Sequence, residues 1–133
     1  MNKETSTTAL RSDLGRVRHL GSAKKGTEHW IGQRVTSLAL LPLTVWFLAS
    51  MVTLGGASYV ETVLWLAHPL NAMLMLALLA LTFHHTASGL QVVVEDYVRP
   101  ERWKIAAILG IRGLCWLGFL ATLLAVLRVA LSG

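Results

Sequence analysis

Residues 35–54 read VTSLALLPLTVWFLASMVTL, twenty positions without a charged side chain. A helix of that length covers about 30 Å, the hydrocarbon thickness of a bilayer, and satisfies its backbone hydrogen bonds internally. The stretch is therefore expected to cross a membrane. Working outward, residues 63–94 hold a second apolar run of spanning length, and residues 105–131 a third, interrupted only by Arg112 and Arg128. Across all 133 residues, 54% are hydrophobic and 14% charged. With a mean hydropathy of +0.57, this exceeds what a small soluble core needs. The expected fold is all-α: an integral membrane protein with three transmembrane helices over residues 35–131, behind a polar, basic N-terminal arm over residues 1–34.

Punctuation and charge organise the three spans. Pro42 is expected in the first turns of helix one and Pro69 near the start of helix two, where a missing amide donor matters least. Gly55-Gly56 ends helix one, and Arg99-Pro100 separates helices two and three. Of the twelve Lys and Arg residues, seven (Lys3, Arg11, Arg16, Arg18, Lys24, Lys25 and Arg34) precede or open helix one, and Arg99, Arg102 and Lys104 follow helix two. The 55–62 loop has none. An excess of Lys and Arg marks cytoplasmic segments, so the N-terminus and the second loop are expected inside, the first loop and the C-terminus outside. The net charge of +5 fits this asymmetry and contact with anionic lipid. Nucleic acid is a poor partner for it, since the basic residues are not interleaved with base-stacking aromatics. No secretory signal is read in residues 1–34, which lack an apolar core segment. The lone Cys115 allows neither an internal disulfide nor a thiolate cluster. There is no nucleophile elbow, phosphate-binding glycine loop or paired catalytic carboxylates, so chemistry on soluble substrates is expected on another subunit.

The chemistry-bearing stretch is His84-His85-Thr86-Ala87-Ser88-Gly89-Leu90-Gln91-Val92-Val93-Val94-Glu95-Asp96-Tyr97-Val98-Arg99-Pro100. Eleven residues at about 100° each return to within about 20° of the start, so His85 and Asp96 share one helix face, about 16 Å apart, with Gly89 on the same stripe. A glycine there lets a flat ring or a neighbouring helix approach closely. An imidazole in hydrocarbon is either a ligand or a hydrogen-bonded link to another helix. With its second nitrogen bonded, a neutral imidazole is an axial haem-iron ligand, and one helix supplies a single such bond. His84 points about 100° away from His85 and competes for that role. Asp96 and Tyr97 are either interfacial residues or the hydrogen-bonding and proton-relaying groups of a quinone site. Arg34 either snorkels or pairs with a haem propionate. Arg112 is expected to snorkel or to pair with a neighbouring subunit. His19, His29 and His68 receive no metal role, and Trp30, Trp65 and Trp103 fit an interfacial belt.

His85-x3-Gly89-x6-Asp96-Tyr97-Val98-x-Pro100, preceded by Gly32-Gln33-Arg34-Val35-Thr36, resembles the small hydrophobic membrane-anchor (D) subunits of bacterial succinate dehydrogenase, respiratory complex II. The resemblance spans about residues 27–131. It implies that His85 is this subunit's axial ligand to a haem b shared with a second anchor (cytochrome b) subunit, whose own histidine completes the iron. It implies further that Tyr97 hydrogen-bonds the quinone head group with Asp96 beside it in the proton path, and that Arg34 lies near a haem propionate and the quinone pocket. His84 departs from the pattern, in which an apolar residue is usual. FAD and iron-sulfur clusters would belong to the flavoprotein and iron-sulfur partner subunits, with electrons from succinate ending on ubiquinone. The chain itself would be a non-catalytic subunit of the bacterial cytoplasmic membrane. The alternatives are an anchor of a quinol:fumarate reductase, a small transporter or proton-conducting subunit using His85 and Asp96 as a relay, and a scaffold whose histidines only link helices.

Overall fold

A computed structural model describes residues 24–132 and contains, among them, four helices and no strand: α1 (Lys24–Thr53), α2 (Tyr59–Ala67), α3 (Pro69–Tyr97) and α4 (Glu101–Ser132). The basic arm expected over residues 1–34 lies outside the described residues up to position 23. Three of the helices are long and apolar enough to cross a membrane, over Thr27–Thr53, Pro69–Tyr97 and Glu101–Leu131.

α1 begins at Lys24, well before the uncharged run. No proline interrupts residues 24–34, and Arg34 lies over the Trp30 ring one turn earlier, 5.2 Å from its centroid, a pairing that helical spacing creates. Pro42 therefore sits in the helix interior, not in the first turns. Its ring leaves the carbonyl four residues back without an amide partner. Gly56 ends the turn after α1 at φ +94°, a left-handed conformation that a Cβ disfavours.

The second apolar run is divided. Ser58 caps α2 through a capping box: its hydroxyl accepts from the Glu61 amide at 3.3 Å while its own amide donates to Glu61 Oε2 at 2.6 Å. His68, in extended conformation, separates α2 from α3, which starts with Pro69 at its first position. Asn71 Nδ2 donates to the Trp65 carbonyl at 2.8 Å, and Trp65 stacks on Trp46 of α1 at 5.8 Å. The joint is thereby held against the end of α1. The extended residues around Arg99-Pro100 then separate α3 from α4.

α3 is the central helix. It packs against α1 and α4, while α1 and α4 do not meet. Thr36 faces His85 and Gln33 faces Gly89, so α1 and α3 are antiparallel. On the other side Arg112 meets Gln91 and Gly118 lies under Phe83, so α3 and α4 are antiparallel too. The row never closes around a core: among the described residues only Ser50 is buried, at 8% exposure, and no apolar side chain is. Such helices suit a medium as apolar as their side chains.

Candidate functional site at the centre of α3

His85 is half-buried in the α1–α3 interface. Its Nδ1 lies 3.0 Å from the Thr36 hydroxyl, which also lies 2.9 Å from the Gly32 carbonyl and 3.1 Å from that of Gln33. No described residue forms a hydrogen bond to Nε2. One turn on, a Cβ at Gly89 would stand 3.2 Å from Gln33 Nε2. The side chain that reaches this glycine comes from the neighbouring helix α1. Two polar atoms on the same part of α1, His29 Nε2 and Gln33 Oε1, are buried without a partner.

His84 faces elsewhere, as the 100° step requires. It is exposed and lines a cavity of about 580 Å³ between α3 and α4, together with Phe83, Ser88, Arg112, Trp116 and Phe119. Phe119 meets the edges of Phe83 at 6.4 Å and Trp116 at 6.1 Å. Arg112, about 16 Å along α4 from its start, donates from Nη2 to Gln91 Oε1 at 2.7 Å, and Gln91 Nε2 donates to Glu95 Oε1 at 2.7 Å. This chain climbs α3 toward the Asp96–Tyr97 end. Gln91 and Glu95 were not singled out from the sequence. The available signal was two polar side chains four apart in a helix of spanning length.

The remaining expected site residues lie apart. Asp96 is exposed and Tyr97 is 82% exposed at the end of α3, about 18 Å beyond His85. No described residue hydrogen-bonds to either side chain. Arg34 is exposed and borders a shallow recess with Ser37, Leu38 and Leu41 on the outer side of α1. The pairing of Thr36 with His85 brings it to within about one turn of the height of His85, but two residues from Thr36 places it about 200° around the helix. The chain alone thus joins His85 to Thr36 and Gly89, and leaves Arg34, Asp96 and Tyr97 facing outward.

A haem iron needs an imidazole with one nitrogen tied and the other open. His85 meets that requirement, being half-buried with Nδ1 bonded and Nε2 without a partner. Among the described residues no three His, Cys, Asp or Glu side chains converge, so this part of the chain offers single ligands rather than an enclosed metal site.

Residues 5–127 match the family described as succinate dehydrogenase/fumarate reductase transmembrane subunit. Individual relatives carry related names. Identity is 30% over 119 residues with the succinate dehydrogenase hydrophobic membrane anchor subunit of Rickettsia bellii (strain RML369-C), covering 88% of this chain and 94% of that one. It is 27% over 97 residues with the succinate dehydrogenase membrane anchor subunit of Reclinomonas americana, covering 71% and 81%. With the Paracoccus denitrificans hydrophobic membrane anchor subunit it is 26% over 92 residues, covering 69% and 71%. No solved structure matches the chain significantly. A match running from residue 5 to residue 127, on three membrane-length helices, establishes that the chain belongs to the succinate dehydrogenase/fumarate reductase transmembrane subunit family.

Proposed function

We propose that this chain is the small membrane anchor of a succinate:quinone oxidoreductase, in which His85 supplies one axial bond to a haem b shared with the second anchor subunit. The observation that carries the reading is the state of His85: a half-buried imidazole at mid-helix, tied through Nδ1 to Thr36 and open at Nε2. Gly89, one turn on, faces Gln33 of the same stretch of α1. The haem, when bound, supplies a one-electron redox centre between the soluble subunits and the quinone. Arg34 is assigned to a propionate as an exposed guanidinium within about one turn of the height of His85, lying over Trp30 on the outer side of α1.

Tyr97 and Asp96 serve quinone reduction at the end of α3. The phenol donates a hydrogen bond to a quinone carbonyl, and the neighbouring carboxylate passes a proton toward it as the oxygen gains charge. Both side chains are exposed, as groups must be that meet a ligand held partly by other subunits. The partners are the second anchor subunit, an iron-sulfur subunit and a flavoprotein bearing FAD, and they dock on the side where the basic residues cluster, the cytoplasmic face of a bacterial membrane. Ubiquinone is the proposed acceptor. Succinate oxidation itself takes place on the partners.

A second reading places the haem against His84, in favour of which stands the α3–α4 cavity with Arg112 beside that histidine. The test is to purify the complex in mild detergent from cells making His84→Ala or His85→Ala and to record the succinate-reduced absorbance. A b-type spectrum lost in the His85 variant and kept in the His84 variant is expected. The opposite pattern supports the cavity reading, and a parent complex without a b-type band removes both.

A further inference from the structure

The Thr36 hydroxyl carries one proton and has three neighbours within hydrogen-bond reach: the Gly32 carbonyl at 2.9 Å, the Gln33 carbonyl at 3.1 Å and His85 Nδ1 at 3.0 Å. The carbonyls can only accept. A threonine within a helix gives its proton to the carbonyl three or four residues back, and here both lie in range, so the proton is committed to α1 itself. What the oxygen then presents to His85 is a lone pair. The hydrogen in the Oγ1···Nδ1 contact must come from the ring.

We infer that Thr36 is a positioning residue for His85, accepting its Nδ1–H and so holding the imidazole as the tautomer whose free lone pair is on Nε2. The opposite polarity, with Thr36 donating to Nδ1, would put the ring proton on Nε2, where no iron bond can form. The orientation of the ring follows from the same contact, because a hydrogen bond near 3.0 Å must lie close to the ring plane. Gly89, one turn on, faces the same stretch of α1: the place of a Cβ there is 3.2 Å from Gln33 Nε2, the end of a side chain that can move aside without shifting the α1 backbone.

This inference rests on His85 being the ligand, and it adds a consequence of its own. A ring that donates through Nδ1 is a more basic ligand through Nε2, which favours the more highly charged ferric iron. Removing the acceptor should therefore raise the midpoint potential. A net hydrogen-bond difference of ordinary size corresponds to about a two- to tenfold rise in the ferrous-to-ferric ratio at fixed ambient potential, tenfold being about 59 mV for one electron.

The experiment compares the intact complex from the parent, Thr36→Val, Thr36→Ser and His85→Ala. Because the Thr36 hydroxyl bonds within α1 only to carbonyls that remain in the helix ladder, the valine variant is expected to assemble and to keep its b-type spectrum. Its potential should rise and its low-spin electron paramagnetic resonance g values should move, whereas Thr36→Ser should restore both. A Thr36→Val complex with parental potential and g values, beside a His85→Ala complex that has lost the spectrum, overturns the role of Thr36 and leaves His85 standing. A His85→Ala complex that keeps the parental spectrum overturns the ligand assignment, and the role of Thr36 falls with it. If Thr36→Val yields no complex, Thr36→Ala introduces no added bulk and carries the same expectations and the same grounds for rejection.

Discussion

At the scale of single residues, Tyr97 offers the cleanest separation between binding and belonging to the interface. Tyr97→Phe deletes one hydroxyl, which hydrogen-bonds to no described residue, and keeps the ring. A hydrogen bond to a carbonyl gaining negative charge is worth on the order of 1 to 3 kcal/mol, or roughly a five- to more than hundredfold loss in quinone-linked turnover. Succinate oxidation by an artificial acceptor that bypasses the quinone should be unchanged, as should the haem content. Quinone-linked activity within about twofold of the parent would identify Tyr97 as an ordinary member of the aromatic belt. Candidates for such chemistry stood out in the sequence, because a histidine, an acid and a tyrosine are conspicuous in apolar surroundings. The partner of His85 was not. Thr36 lies 49 positions away, and its relevance depends on the register between α1 and α3, which no local pattern encodes. The Arg112–Gln91 bond across α3 and α4 was hidden for the same reason.

At the scale of elements, glycines measure how tightly the helices are set. A Cβ at Gly118 would stand 2.7 Å from the Phe83 ring, which is itself against Phe119, so Gly118→Ala must displace a packed aromatic. Overpacking of this sort costs about 1 to 3 kcal/mol, against a gain of about 1 kcal/mol in helix propensity. At Gly89 the obstacle is only the end of a flexible glutamine side chain. The thermal midpoint of the purified complex should fall for Gly118→Ala and stay near the parent for Gly89→Ala; equal shifts would mean that the α3–α4 contact is not the tighter one. The capping box of α2 has its own signature. The Ser58 amide, and then its hydroxyl, donate to Glu61 and hold its carboxyl below the ordinary value. A lowered folded-state value stabilises the charged form, so the box should persist from neutral pH through about 4.3, the ordinary glutamate value, and open only as the pH falls farther. Amide exchange at Glu61 and Thr62, corrected for its intrinsic pH dependence, checks this, and Glu61→Gln should abolish the acid transition. Where helices end was largely readable, because Gly55-Gly56, Pro69 and Arg99-Pro100 act through their own backbone. Pro42 misled for a complementary reason: hydropathy marks where charge stops, not where a helix starts, and α1 continues through polar residues to Lys24.

At the scale of the whole molecule, three spans and the basic residues at one end define an orientation to be tested. A cysteine at Ala57 should react with a membrane-impermeant thiol reagent added outside intact cells, and one at Glu101 should react only after permeabilisation; Cys115, half-buried in the α3–α4 cavity, should stay silent throughout. The reverse pattern would put Asp96 and Tyr97 on the wrong side for the soluble partners. The open row in which α3 touches both neighbours while α1 and α4 stay apart also bears on the life of the chain before assembly. Newly inserted without its companions, it presents His84 and Arg112 to lipid, groups that hydrocarbon accommodates poorly. A chain left in that state is more open to triage by chaperones and proteases. Under the proposed assembly its half-life in the cell should depend on the supply of the second anchor subunit, which pulse-chase labelling with and without that subunit checks.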